Sequence, residues 1–397
     1  MKKIWDRKNA IPTNKAVENY TVGVDYLLDL ELLPYDIQGT MAHAKMLHKI
    51  KILNKKELGI LILGLNKILS LWKAGKFKID KSQEDSATAI EGYLTEHYGE
   101  VGKKVHTGRS RNDQSLTMTR LFSKEKLLEI KQITEDLIKV LKGQIKKQGK
   151  IKMPGYTHMQ RAMPSSVGMW LASYSSSLED NLILIDAAIK VIDQNPLGSA
   201  AGYGENTFGL DRKFTTKELN FSRVQKNPMY CGFSRGKFEN IILQSVGSVM
   251  FDLGKIASDL LLFTTKEFNF FTLPDSFRTG SSIMPQKKNY DVLELIRGNI
   301  AVFNGYQNQI ENVIKNLPAG YNRDFQLTKE PFIKGIKLAQ ETIQIMILVV
   351  KNLQAQKENL EDACSSELYA TDEALRLVKQ GVSFREAYQQ VKEKYYK

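Results

Sequence analysis

Apolar residues recur every three or four positions over long stretches of this 397-residue chain. From Ser115 to about Gln148 they fall at Leu127, Ile130, Leu137, Leu141 and Ile145, the spacing of one helix face. At 1.5 Å per residue that helix would run roughly 50 Å. A second helix is expected with Pro164 near its first turn, carrying Trp170, Leu171, Leu178, Leu182, Ile185, Ile189 and Ile192. Phe238 to about Phe263 reads as a third, with Ile242, Val246, Val249, Leu253 and Leu260 on its face. Asp291 to about Ile314 and Pro331 to about Leu353 complete the set. The pattern predicts a mainly α subunit of three domains: an N-terminal helical domain over 1–106, a central bundle of long helices over 107–355, and a short C-terminal helical domain over 356–397. The best helices of the first part run from Gln38 to Asn54 and from Lys56 to Ala74. The tail breaks at Gly381, with Ser383 as the N-cap of its last helix. There is no βαβ alternation and no repeat period that would make a solenoid. Helices this long carry apolar faces too large for a monomer, so a homo-oligomer built by helix pairing is expected.

Composition narrows the partners. Net charge is +13, mostly from lysine. No dense basic run with interleaved aromatics accompanies it, which argues against nucleic acid. The two cysteines, Cys231 and Cys364, make neither a disulfide framework nor a CxxC metal site, and suggest a reducing, cytoplasmic setting. The stretch MKKIWDRKNA lacks the apolar core of an export signal. No uncharged run reaches membrane-spanning length.

Three polar, glycine-bearing segments change the picture. HTGRSRNDQ (His106 to Gln114), GYTHMQRAMP (Gly155 to Pro164) and GSSIMPQKKN (Gly280 to Asn289) each stand just before a predicted long helix. Helix N-termini offer unpaired N–H groups and partial positive charge, which suit anions. One such segment is best read as a capped helix start. Three, with Arg109, Arg111, Lys287 and Lys288 among them, point to a site for carboxylates or phosphates. His158, Ser281 and Ser282 supply proton carriers; Thr157, Asn112, Asn289 and the cations supply charge stabilisers. No HExxH or Asp-x-Asp pattern suggests a metal, and no P-loop suggests a nucleoside triphosphate. This set suits removal of a proton next to a carboxylate, followed by β-elimination with a general acid at the leaving group. A glycine-flanked loop that closes would exclude water and strengthen those contacts.

GSSIMPQKKN resembles the signature of the fumarase/aspartase superfamily. With HTGRSRNDQ and GYTHMQ it is similar to the argininosuccinate lyase family in particular, and the resemblance runs from about residue 15 to 390. PLGSAAGYG (Pro196 to Gly204) resembles that family's glycine-rich turn, and YNRDFQLTKE (Tyr321 to Glu330) its arginine-side segment. The resemblance implies cleavage of argininosuccinate to arginine and fumarate, no cofactor, and a homotetramer whose active sites are each assembled from three subunits. It implies roles as well. Ser281 matches the catalytic serine, the expected base, and His158 the catalytic histidine, acting as acid or base. Lys287 matches the lysine that stabilises the carbanion, and Glu294 a glutamate paired with the histidine. Thr157 and Asn289 match substrate ligands, and Ser110, Arg111 and Asn112 the fumarate-side binding loop. Tyr321, Gln326 and Lys329 match contacts to the rest of the substrate, and Thr21 a binding serine.

Three departures stand out. Ala87, in EDSATAIE, occupies a position where the family commonly has histidine. Tyr290 replaces the usual proline after KKN, which predicts a less rigid loop-to-helix junction. The chain ends soon after FREAY, where typical members continue. Two alternatives remain open on the sequence: a sibling fumarate-releasing enzyme such as adenylosuccinate lyase, and a non-catalytic, crystallin-like homologue.

Overall fold

The structure, a computed structural model, describes residues 14–395; the MKKIWDRKNA stretch lies outside them. Along the chain run α1 (Lys15–Val22), α2 (Asp25–Lys49), α3 (Lys55–Lys73), α4 (Ser86–Tyr98), α5 (Glu100–Lys103), α6 (Arg111–Gln148), α7 (Val167–Ile192), α8 (Arg212–Glu218), α9 (Pro228–Phe233) and α10 (Lys237–Phe263). There follow α11 (Asp291–Ile314), α12 (Lys329–Lys351), α13 (Lys357–Asp362), α14 (Ala370–Lys379) and α15 (Phe384–Tyr395). The five long helices of the sequence reading are α6, α7, α10, α11 and α12, most of them within two or three residues of the predicted ends. Strands are confined to two-stranded ribbons: β1 (Lys152–Thr157) with β2 (Gln160–Ser166), β3 (Gln194–Asn195) with β4 (Arg223–Val224), β5 (Phe271–Thr272) with β8 (Gln354–Ala355), and β6 (Thr279–Gly280) with β7 (Lys288–Asn289).

Two compact units emerge, and the divisions between them fall inside all five long helices. One comprises the described residues up to Glu129, with Ile185–Ser245 and Asn304–Lys337. Its core packs α2, α3 and α4 through Leu33, Ile37, Leu47, Leu61, Leu65, Ile68 and Leu94. The predicted start of α2 at Gln38 is corrected to Asp25, because the helix runs straight through Pro34. Proline has no N–H for the carbonyl four residues back. Here that carbonyl, on Leu30, accepts the indole N–H of Trp72 at 2.7 Å, so the helix loses a bond but leaves no orphan. Next door, Asn54 and Glu57 form the capping box that starts α3.

The other unit comprises Ile130–Leu184, Val246–Phe303 and the chain from Leu338 onward. Polar ties lock its helices in register. Asp259 on α10 accepts from Trp170 (2.8 Å) and Tyr174 (2.6 Å) on α7. Seven residues earlier on α10, Asp252 accepts from Ser177 and Asn181, seven residues further along α7. On α6, Gln144 donates to the Val350 carbonyl of α12 at 2.7 Å. Pro164 lies not in the first turn of α7 but in β2, paired with Pro154 of β1. Each strand of a two-stranded ribbon has a free edge, where prolines are tolerated. The tail turns at Gly381 (φ 96°), and Ser383 caps α15 through the Glu386 N–H, as its sequence predicts.

Trp72→Phe removes the donor to the Leu30 carbonyl and is expected to destabilise the protein by about 1–3 kcal/mol. Adding Pro34→Ala, which restores the helix's own N–H, is expected to recover part of that loss. Urea denaturation of the single and double variants checks both.

Candidate active site

The first unit gathers charge along one stripe of α2. Asp25, Asp29, Asp36 and Thr40 are spaced by four, seven and four, so they share a helix face. Each meets a partner brought by the start of another element. Lys329, the first residue of α12, places its ammonium between Asp25 (2.7 Å) and Asp29. Ser86, the first residue of α4, donates its N–H to Asp29 (3.0 Å) and its hydroxyl to Asp36 (2.6 Å). Arg109, from HTGRSRNDQ, donates to Thr40 at 2.9 Å. Burial pulls Lys329 toward neutrality, but Asp29 and Asp25 outweigh it and its pKa stands above the ordinary lysine value. Burial pushes Asp25 up, against the pull of Lys329.

This stripe floors a cavity of about 100 Å³. Arg111 and Asn112 enter it from the first turn of α6, and Tyr321, Gln326 and Lys329 from the segment leading into α12. α6 begins four residues before the expected Ser115, so Arg111 and Asn112 stand on the helix rather than in a loop. The helix starts earlier because Asp113 caps it, accepting from the Ser110 N–H (3.1 Å) and from Gly198 in the glycine-rich turn (3.0 Å). Ser110 adds a second cap, accepting from the Asn112 N–H. Arg111 is aimed by Asp85 at 2.8 Å and Glu84 at 3.3 Å. Ala87 contributes only a methyl group to the wall, and the polar contacts there come from Ser86.

Thr21 meets the segment leading into α12 through its backbone. Its hydroxyl is turned back onto the carbonyls of Val17 and Glu18, and its own carbonyl accepts from Gln326 and Arg323, both at 3.1 Å. Residues the sequence reading missed also line the cavity: Asp25, Asp29, Gln114, Ser115, Arg235 and Arg323. Only the aspartate stripe left a readable trace, two acids one turn apart among the leucines that open α2. Gln114 Oε1 and Ser115 Oγ are buried without a protein partner, the condition of groups kept for a ligand or water. Acids and guanidinium groups alternate around this space, which suits a molecule carrying both carboxylates and cations.

In the second unit, GYTHMQRAMP forms the β1–β2 hairpin. His158 and Met159 form its tip with φ of 52° and 62°, and both are exposed. Such tips normally take Asn-Gly, and a histidine held there is strained, a condition that concentrates at functional sites. Thr157 stands beside them, opposite Gln160. GSSIMPQKKN is a loop, as predicted, and it springs from a stem in which Thr279 pairs with Asn289 and Gly280 with Lys288. Ser281 Oγ accepts the N–H of Met284 at 3.1 Å, with that of Ile283 at 3.4 Å. A turn from Met284 to Lys287 follows, closed by the Lys287 N–H at 3.0 Å. Ile283 and Lys287 are exposed. Glu294 lies exposed in the first turn of α11. Tyr290 is tied by its hydroxyl to Arg278 and Leu273, a restraint that a proline ring cannot supply.

The histidines without motifs are structural. His43 is buried and bonded to the Thr107 carbonyl at 2.8 Å, its pKa held low by burial. His48 bonds to the Leu53 carbonyl, and His97 stacks on Tyr93. Among the described residues no helix is long and apolar enough to cross a membrane.

The chain matches the family described as Lyase over residues 10–305. It is 41% identical to the argininosuccinate lyase of Thermotoga neapolitana over 99% of this chain and 98% of that protein. With the argininosuccinate lyase of Stenotrophomonas maltophilia strain K279a it shares 42% identity over 97% of this chain and 89% of that one. Among solved structures it is similar to EDDS lyase in complex with formate, with a TM-score of 0.81 and 26% identity over 96% of this chain and 76% of that one.

Lys329→Met strands two buried carboxylates and is expected to cost about 3–5 kcal/mol at neutral pH; urea denaturation measures it. His106, from HTGRSRNDQ, is held at about 4 by burial and by the cations Arg109 and Arg111. Between 6.5 and 4 the unfolded chain therefore binds the extra proton, and stability falls as pH falls, by about 3 kcal/mol over that window. His106→Gln is expected to flatten this dependence, and equal pH slopes for the two proteins would refute it.

Proposed function

Because the chain belongs to the argininosuccinate lyase family of the fumarase/aspartase superfamily, we propose that it cleaves argininosuccinate to arginine and fumarate by β-elimination. Ser281 takes the proton from the carbon next to a succinyl carboxylate. The electron pair moves onto that carboxylate, where Lys287 and Asn289 hold the developing charge. The carbon–nitrogen bond then breaks, and the guanidino nitrogen leaves with a proton delivered by way of His158, which Glu294 orients. Thr157 holds the substrate beside it. Ser110, Arg111 and Asn112 bind the fumarate part, and Tyr321, Gln326 and Lys329 bind the remainder, with Thr21 at its edge.

One observation carries the mechanism. A serine is a poor base unless its alkoxide is stabilised, and backbone N–H groups aimed at the Ser281 oxygen do that without any side-chain movement. The mixed-sign cavity supports the substrate assignment, since argininosuccinate carries three carboxylates, an ammonium and a guanidinium. An adenylosuccinate substrate would require a phosphate site, and HTGRSRNDQ with QKKN favours the argininosuccinate branch.

The working form is a homotetramer in which each site is assembled from three subunits. Large apolar side chains stand exposed on the long helices of the second unit, among them Met169, Ile183, Phe251, Leu295, Val302 and Leu348. A row of this kind asks for helix pairing between copies. The setting is the cytoplasm, and the role is the final step of arginine biosynthesis, without a cofactor.

Purified protein mixed with argininosuccinate is expected to release fumarate, followed by ultraviolet absorbance. Release from adenylosuccinate instead would overturn the substrate assignment, and inactivity on both would favour the crystallin-like alternative. Ser281→Ala is expected to lower kcat about 10²–10⁴-fold while the mass in solution stays four times that of the 45.1 kDa chain. Near-normal turnover in that variant would remove Ser281 as the base.

A further inference from the structure

The loop that carries Ser281 rests on a two-pair ladder, too short to hold it rigidly on its own. A side-chain clasp closes it just beyond the ladder. Arg278 immediately precedes β6 and Tyr290 immediately follows β7, and Arg278 Nε donates to the Tyr290 hydroxyl at 2.8 Å. The same hydroxyl accepts the Leu273 N–H at 3.2 Å. Leu273 extends from β5, which pairs with β8, and β8 is fixed to α6 by the Ala355 N–H on the Gln148 side chain at 2.9 Å. Arg278 is itself held from three sides: Asp275 at 2.6 Å, Thr272 at 3.0 Å, and the Tyr290 ring 5.2 Å below its guanidinium. Thr279 adds a second tie by donating to Asp291 at the start of α11.

We propose that Tyr290 is a positioning residue, its hydroxyl clasping both ends of the catalytic loop to the β5–β8 ribbon so that Ser281 and Asn289 are presented in register. The proposal rests on the reading of Ser281 as the base. Phenol chemistry supports it. Burial pushes the Tyr290 hydroxyl up, but donors from Thr272, Leu273 and Arg278 outweigh it and bring its pKa below the ordinary value, the mark of an oxygen used as an acceptor. The loop beyond the clasp has few contacts of its own, so error at the stem passes undamped to the serine. Misplacement of a reacting group by about 1 Å can cost on the order of 10²-fold in rate.

Tyr290→Phe keeps the ring and its contact with Arg278 and removes one oxygen. It is expected to lower kcat at least tenfold with KM changed less than threefold and the melting temperature within about 2 °C. Amide hydrogen exchange across 279–289 is expected to quicken about tenfold or more. Arg278→Met cuts the same clasp from the other end, so the two losses in kcat should not multiply in the double variant. Unchanged kcat, unchanged exchange, or multiplying losses would each overturn the proposal. If Tyr290→Phe does not fold, the exchange and kcat of Arg278→Met decide in its place. Exchange is read without substrate. A wild-type chain that releases no fumarate from argininosuccinate therefore sinks the functional reading and leaves the exchange result to judge the clasp.

Discussion

A single buried ammonium organises the first unit. Lys329 is 4% exposed, yet it sits at the start of a long helix between two carboxylates of α2. Taking three charges out of water costs several kcal/mol each, and their attraction only roughly repays it. A trio of apolar side chains would serve stability as well. What the charges contribute is placement. They fix the start of α12 against one turn of α2, and through Asp29 and Asp36 they fix the start of α4. Three element ends are thereby set around one cavity by groups that tolerate little error in distance. The same low-dielectric setting makes it costly to leave the remaining buried polar atoms on that wall, Gln114 Oε1 and Ser115 Oγ, without a partner.

The second unit solves a different problem. Its helices are locked by evenly spaced acid acceptors, Asp252 and Asp259, each taking two donors from α7. That ties the interhelical body together and leaves the hairpin tip and the loop to project from it. His158 crowns a hairpin and is exposed, while Ser281 is half-buried where its loop leaves the stem. Exposed tips are poor at catalysis alone, since water competes for every contact. Their exposure makes sense if a partner surface completes them. The exposed leucine, valine and phenylalanine side chains along the neighbouring long helices are consistent with such a surface.

Much of the fold was legible because long helices repeat their signal many times over. Five periodic runs gave five helices, and Gly381 and Ser383 gave the last break and cap. The failures are local and have local causes. Pro34 hid the first half of α2, since nothing in the sequence tells that Trp72 will take the stranded carbonyl. Pro154 and Pro164 hid the β1–β2 hairpin, because prolines facing across a ribbon read as loop and helix cap. The candidate site divides the same way. Its loops announced themselves by composition, as clusters of hydroxyls, cations and amides among apolar helices. Arg235 and Arg323 did not, and the aspartate stripe left only a faint trace, because their meaning comes from partners far along the chain, such as Thr21 for Arg323 and Lys329 for Asp29.

Tyr290 shows why a departure from a family pattern is not read from the residue alone. From sequence, losing a proline at a loop end means more backbone freedom. In the fold, the tyrosine hydroxyl replaces one local dihedral restraint with contacts to Arg278 and Leu273, and so to a ribbon fastened on α6. The two restraints differ in kind. A proline stiffens its own residue and the one before it. A hydroxyl that joins the residue before the loop to the residue after it shortens the effective loop, and the entropy of the intervening segment falls accordingly. Beyond the stem, residues 282–287 are exposed. Rigidity at the base is thus a property of one side chain's contacts, which fix where the chain enters and leaves the loop.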